Sequence, residues 1–216
     1  MTLPTPSPSF YPSTTPEPPH ITSLLKLLAL EPNIEGGYFS ETDRAPDTVP
    51  TPFPFSTSSS TTGLAPHRPG FNPLVRNSST TIYYLLTPTS PQGGFHRNKG
   101  RTVHTLHHGR GRYVLIHANE PGDEKRIESF VVGKDIEKGE KLQWIVEGGK
   151  FKASYLLPDE EGGTESQGGL LISETVVPGF EYCDHDFLPE EGLRELVGRK
   201  KAEELSWLLS PLGKKA

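Results

Sequence analysis

The chain of 216 residues has one cysteine, one methionine and two tryptophans. A lone thiol, Cys183, excludes an internal disulfide framework, and a reducing compartment fits that. No apolar run approaches the roughly 20 residues of a membrane-spanning helix. The N-terminus lacks the charged-then-apolar pattern of a secretory signal. A cytoplasmic or otherwise intracellular protein, with no membrane partner, is expected. Excess positive charge is missing too: the net charge is −5 and the pI about 5.9. Nucleic acid is therefore not an expected partner. The basic runs Arg199-Lys200-Lys201 and Lys214-Lys215 read as solvated faces.

Proline and glycine are plentiful, at 22 each. Residues 1–19 carry proline at almost every third position, which predicts a disordered or polyproline-like tail. Residues 20–216 then form one domain. Residues 45–78 are again rich in proline, serine and threonine. They lie between strand-like segments and read as a long surface insertion. Its Phe53, Phe55 and Phe71 are candidates for a lid over a pocket, and a loose loop is the plainer reading.

The rest is mostly strand in pattern. Runs rich in β-branched and aromatic residues cover 37–43, 80–87, 93–98, 101–107, 112–118, 126–132, 142–146, 151–157 and 169–177. Turn residues such as Lys99-Gly100 and Gly148-Gly149 separate them. Strands this numerous predict an antiparallel sandwich or barrel. A short amphipathic helix is predicted to start at Ser23-Leu24-Leu25-Lys26-Leu27-Leu28, capped by Thr22 or Ser23, and to stop before Glu31-Pro32. A second is predicted over about 189–209, with Pro189, Glu190 and Glu191 in its first turn and Gly198 as a weak point.

Three stretches together resemble the cupin type 5 family. They are Glu35-Gly36-Gly37-Tyr38-Phe39 with Glu41-Thr42; Thr81-Ile82-Tyr83-Tyr84-Leu85-Leu86 leading to Phe95-His96-Arg97; and Val177-Pro178-Gly179-Phe180. The resemblance implies a double-stranded β-helix, a jelly-roll barrel with short N-terminal and C-terminal helices, commonly dimeric. It is similar in shape to sugar-nucleotide epimerases and implies no assigned activity.

Four histidines crowd the stretch GFHRNKGRTVHTLHHG, residues 94–109. The resemblance lets them be tested as a metal site. The general cupin ligand set is His-x-His, a Glu, and a later His in a second motif. On this chain those positions hold His96, Asn98, Thr102 and Lys152, so one ligand of four remains. An ammonium has no lone pair to give a metal. No metal cofactor is expected; a divalent ion, if held at all, would sit at His96 and His104. His67, His108 and His117 read as surface or loop histidines. His185, between Asp184 and Asp186, is a poor ligand candidate, because neighbours along a strand rarely converge.

What remains is a polar interior. Strand parity points His96, Asn98, His104, Gln143 and Lys152 inward, with Tyr83, Glu41 and Glu174 near the mouth. Buried polar groups this numerous suggest a ligand pocket; an internal network in which Glu41 and Glu174 neutralise Lys152 and the imidazoles is the bland alternative. His96 is the candidate base and Tyr83 a candidate proton donor or stacking platform, with Lys152 or Arg97 to hold an anion. Two readings follow. One is a metal-independent isomerase, epimerase or lyase acting on a small polar or anionic, sugar-like substrate. The other is a non-catalytic small-molecule-binding cupin. A metal-dependent dioxygenase fits least, for want of ligands. A homodimer is expected, because an exposed strand edge invites pairing.

Overall fold

A computed structural model of the chain describes residues 6–53, 61 and 67–213. Phe55, one of the three lid candidates, lies outside the described residues. Among the described residues no helix is long and apolar enough to cross a membrane.

Helix α1 spans Pro19–Leu27, and Pro19 occupies its first turn, where its missing N–H costs nothing. It begins earlier than Thr22 or Ser23, so neither caps it; both bond backwards to backbone carbonyls instead. Thirteen strands follow: β1 Glu31–Pro32, β2 Tyr38–Arg44, β3 Thr48–Pro50, β4 Val75–Asn77, β5 Thr80–Leu86, β6 Gln92–Asn98, β7 Arg101–His108, β8 Gly111–Ile116, β9 Ile127–Val132, β10 Gln143–Val146, β11 Phe151–Leu156, β12 Leu170–Val177 and β13 His185–Phe187. One sheet has the order β1-β2-β5-β12-β7-β10, and the facing sheet has the order β13-β6-β11-β8-β9. All the strand pairs are antiparallel. This is the cupin jelly roll, mainly β.

Alternation sorts the side chains. In β7, Thr102, His104 and Leu106 are buried while their neighbours are not. Tyr84, Leu86 and Ile172 of one sheet meet Tyr113, Leu115 and Leu156 of the other in the core between the layers. The strands of the β6–β11–β8 layer are covered on both faces. Phe95, Val114, Ile116 and Ala153 point away from the barrel and pack against the C-terminal helices. Burial of each of the larger ones, Phe95, Val114 and Ile116, contributes roughly 1.5–3 kcal/mol.

The predicted C-terminal helix is broken. Helix α2 spans Glu190–Val197 and α3 spans Arg199–Leu205, with Gly198 between them at φ 77°. That backbone conformation suits glycine, and it turns the chain so that Leu193, Val197 and Leu205 all reach the same core.

The described part of the segment expected as a loose tail, residues 6–18, runs along the barrel. Phe10 packs on the inter-sheet core. Glu17 accepts hydrogen bonds from Tyr38, Thr87 and Thr89. The expected insertion contributes the small ribbon β3–β4. Its Phe71 stacks on His67 and under the Arg76 guanidinium.

Candidate functional site

The turn before β2 positions Glu35. Asn33 closes it by accepting from the Glu35 and Gly36 amides. Gly36 and Gly37 both have positive φ, and a Cβ on Gly36 would lie 2.1 Å from the Gln92 carbonyl oxygen. Only glycine permits this close approach. The Glu35 carbonyl then accepts from the Gly94 amide, and Tyr84 donates to the Gly36 carbonyl. The Glu35 side chain is thereby fixed over β6.

On β6, His96 points into the barrel. Its Nδ1 faces the Gly94 carbonyl at 2.8 Å, so it carries the proton and donates. Its Nε2 has no hydrogen-bond partner and lies 3.3 Å from Glu35 Oε2. His185 arrives from β13, which pairs with β6. Its Nε2 lies 3.0 Å from Glu35 Oε1, and its ring stacks on His96 at 5.1 Å. The Thr61 hydroxyl meets His185 Nδ1 at 2.9 Å. The Asp184–Arg76 ion pair, at 2.6 Å and buried on both sides, anchors the start of β13. Burial holds His96 down at about 4, against the pull of Glu35. Burial pushes Glu35 the other way, but His96, His185 and Lys152 outweigh it and bring it to about 2.

A second polar group lies deeper. Lys152 donates to Glu174 Oε2 at 2.5 Å and meets His104 Nε2 at 3.0 Å. Burial opposes ionisation of Glu174, but Lys152 and His104 hold its carboxyl well below the usual range. Burial and then Lys152 lower His104, which stacks on Trp144. Asn98 Oδ1 is buried without a partner.

A cavity of about 270 Å³ opens at this end of the barrel. Its walls include Phe39, Ile82, Val176 and Tyr182, and Glu35, Asn98 and Glu174 reach it. Arg44 and Arg68 stand at its rim, both bonded to Glu181 and Arg44 also to Glu41. A wider hollow of about 680 Å³ lies elsewhere, around Arg110, Lys134 and Glu161. Its charges pair with one another, as in Arg110–Glu140 and Lys138–Glu161, and neither Glu35, Asn98 nor Glu174 lines it.

The structure thus brings together His96, Asn98, His104, Lys152 and Glu174, with Glu41 at the rim. It does not bring Tyr83, Arg97 or Gln143. Tyr83 lies on the outer face, beside His107 and near the leucines of α1; Tyr84 is the inward tyrosine. Arg97 alternates out of the barrel to Asp186 and the Phe151 ring. Gln143 is exposed because Trp144 and Val146 take the inner face of β10. Glu41 neutralises Arg44 rather than Lys152. His117 is buried, against the surface reading, and is held by Glu120 and Glu128. Glu35, His185 and Thr61 were missed as site residues. Glu35 alone carried a signal, the adjacent glycine pair.

The sequence profile of the family described as Cupin superfamily (DUF985) matches residues 22–188. The chain belongs to the cupin type 5 family. It is 46% identical over 202 residues to the uncharacterized protein YML079W of Saccharomyces cerevisiae, covering 93% of this cupin and 92% of that protein. A hypothetical protein from Leishmania major has the same fold, with a TM-score of 0.67 and 28% identity over 87% of this cupin and 97% of that chain. A protein from Shewanella oneidensis, at 23% identity and a TM-score of 0.61, shares the fold over 87% of this cupin and 95% of that chain.

Proposed function

We propose that this cupin binds a small polar, hydroxyl-bearing molecule at the barrel mouth and performs isomerase, epimerase or lyase chemistry on it. The observation that carries the reading is the polarity of the cavity. Its inner surface offers acceptors: the Glu35 carboxylate, the unpartnered Asn98 Oδ1 and Glu174. Its two arginines are already engaged, Arg44 with Glu41 and Glu181 and Arg68 with Glu181, and the nearby Lys152 is bonded to Glu174. Such a surface matches sugar-like hydroxyls better than a phosphate or carboxylate, so the anionic half of the expectation loses support. Apolar walls of Phe39, Ile82 and Val176 suit the C–H faces of such a ring. The three reaction classes need a base, or a polarised carbonyl, beside the reacting carbon. Glu35 with its two imidazoles is the group at the cavity that meets this need.

A second reading, binding without catalysis, is favoured by the Lys152–Glu174–His104 network, whose charged groups are matched to one another and rigidly packed. One experiment separates the two. The protein is isolated from cells and its co-purifying small molecules are identified by native mass spectrometry. A panel of neutral sugars, sugar lactones and sugar phosphates is then assayed for thermal shift and for turnover. Neutral members are expected to stabilise the protein and to be converted, with turnover lost in Glu35→Gln. Stabilisation without conversion supports the binding reading. Stabilisation by anions alone overturns both.

A further inference from the structure

We propose that Glu35, His96 and His185 form a binding site for one divalent transition-metal ion. The three ligand atoms lie within 4.8 Å of one another. Both imidazoles are oriented as metal ligands are oriented. His96 gives its Nδ1 proton to the Gly94 carbonyl, and His185 has its Nδ1 held by the Thr61 hydroxyl. Each ring then turns Nε2 towards the same carboxylate. Metal-bound histidines show this arrangement, in which the distal nitrogen fixes tautomer and ring plane.

The polar groups also leave something unmatched. With Nδ1 protonated, His96 Nε2 is an acceptor, and it faces Glu35 Oε2, a second acceptor, at 3.3 Å without a hydrogen bond. Two acceptors at that separation, one of them buried, call for a donor or a cation between them. Lys152, the nearby ammonium, is bonded to Glu174 instead. A divalent ion satisfies His96, His185 and Glu35 together.

The donor set indicates the chemical class. Two imidazoles and one carboxylate bind Fe(II), Mn(II) or Zn(II) and leave coordination positions open for water or a ligand. Of the three ligands, Glu35 lines the cavity. The set shares only His96 with the positions His96, Asn98, Thr102 and Lys152, where the expectation of no metal was argued. His104 is not part of it, being taken by Lys152 and Trp144.

The inference rests on the proposed cavity function only for what binds above the ion. The ion refines that chemistry, because a polarising ion can stand in for a carboxylate base. Elemental analysis of tag-free protein, without any organic ligand, tests the ion alone. The expected result is about one iron, manganese or zinc per chain. After chelation, added Zn(II) or Co(II) should raise the melting temperature, and Co(II) should give visible d–d absorption. Glu35→Gln and His185→Gln should abolish the stoichiometric binding. Thr61→Ala, which removes the hydroxyl beside His185 Nδ1, should weaken it about 10- to 100-fold. Circular dichroism of each variant checks that it is folded. Metal-free protein whose melting temperature ignores both Zn(II) and Co(II) overturns the proposal, as does full metal retention in a folded Glu35→Gln variant. Either failure leaves the sugar-binding reading standing, and loss of sugar binding leaves the metal result standing.

Discussion

Lys152 Nζ sits 2.5 Å from Glu174 Oε2 inside the barrel, with both side chains buried. They come from opposite sheets, β11 and β12, so this ion pair ties the two layers together. Removing one partner strands the other. Glu174→Gln is expected to cost about 3–5 kcal/mol in urea unfolding. The double variant Lys152→Met, Glu174→Gln should recover most of that loss, because no unpaired charge remains.

The same pair sets an acid limit. The Glu174 carboxyl is held below its ordinary value of 4.5 by Lys152 and His104, although burial opposes this. A depressed carboxylate contributes stability that is fully present above the unfolded value and is lost as pH falls towards the folded one. The unfolding free-energy gap between wild type and Glu174→Gln should therefore be constant from pH 7 to about 5 and narrow below 4.5. A gap that stays unchanged down to pH 3 would contradict the assignment.

Gly36→Ala should be far more damaging than Gly139→Ala. Both glycines have positive φ, worth about 1–3 kcal/mol of strain for another residue. Only Gly36 also faces a carbonyl oxygen at 2.1 Å, whereas Gly139 faces open space. Thermal melts of the two variants, compared side by side, isolate the clash from the strain.

Glu17→Ala tests whether the N-terminal segment holds on to the barrel. Tyr38, Thr87 and Thr89 all donate to this carboxylate. Leaving these hydroxyls unpaired should lower stability by about 1–3 kcal/mol. An unchanged urea midpoint would show the segment to be dispensable.

Self-association is expected at the β10 edge. This outermost strand carries exposed Ile145, with exposed Leu142 just before it. Ile145→Lys should shift the sedimentation mass from about 48 kDa, twice the 23.8 kDa chain, to the monomer. A wild-type chain that sediments as a monomer at micromolar concentration would remove this expectation.

The strands were legible because period-2 alternation over six to eight residues leaves little choice of register. β7 shows this: His104 was placed inward by parity and is buried there, with Thr102 and Leu106 on the same face. Parity failed where neighbours competed for the inner face. In β10 the indole of Trp144 wins over Gln143, and in β5 Tyr84 rather than Tyr83 faces the Gly36 carbonyl. Helix 189–209 was read as one because its leucines keep helical spacing across Gly198; the break appears only when α2 and α3 must both reach the core. His96 was legible as an inward histidine, but its meeting with Glu35 and His185 was not. It depends on β13 pairing with β6, a contact between residues 185 and 98 that local pattern does not encode.

The turn that carries Glu35 separates two kinds of evolutionary freedom. Gly36 and Gly37 are each barred from bearing a side chain by backbone carbonyls, of Gln92 and Leu85. Residue 35 itself meets no such barrier. Descendants of this barrel can therefore exchange the carboxylate for another functional group while the backbone delivers it to the same place, so new chemistry is open at this position without a new fold.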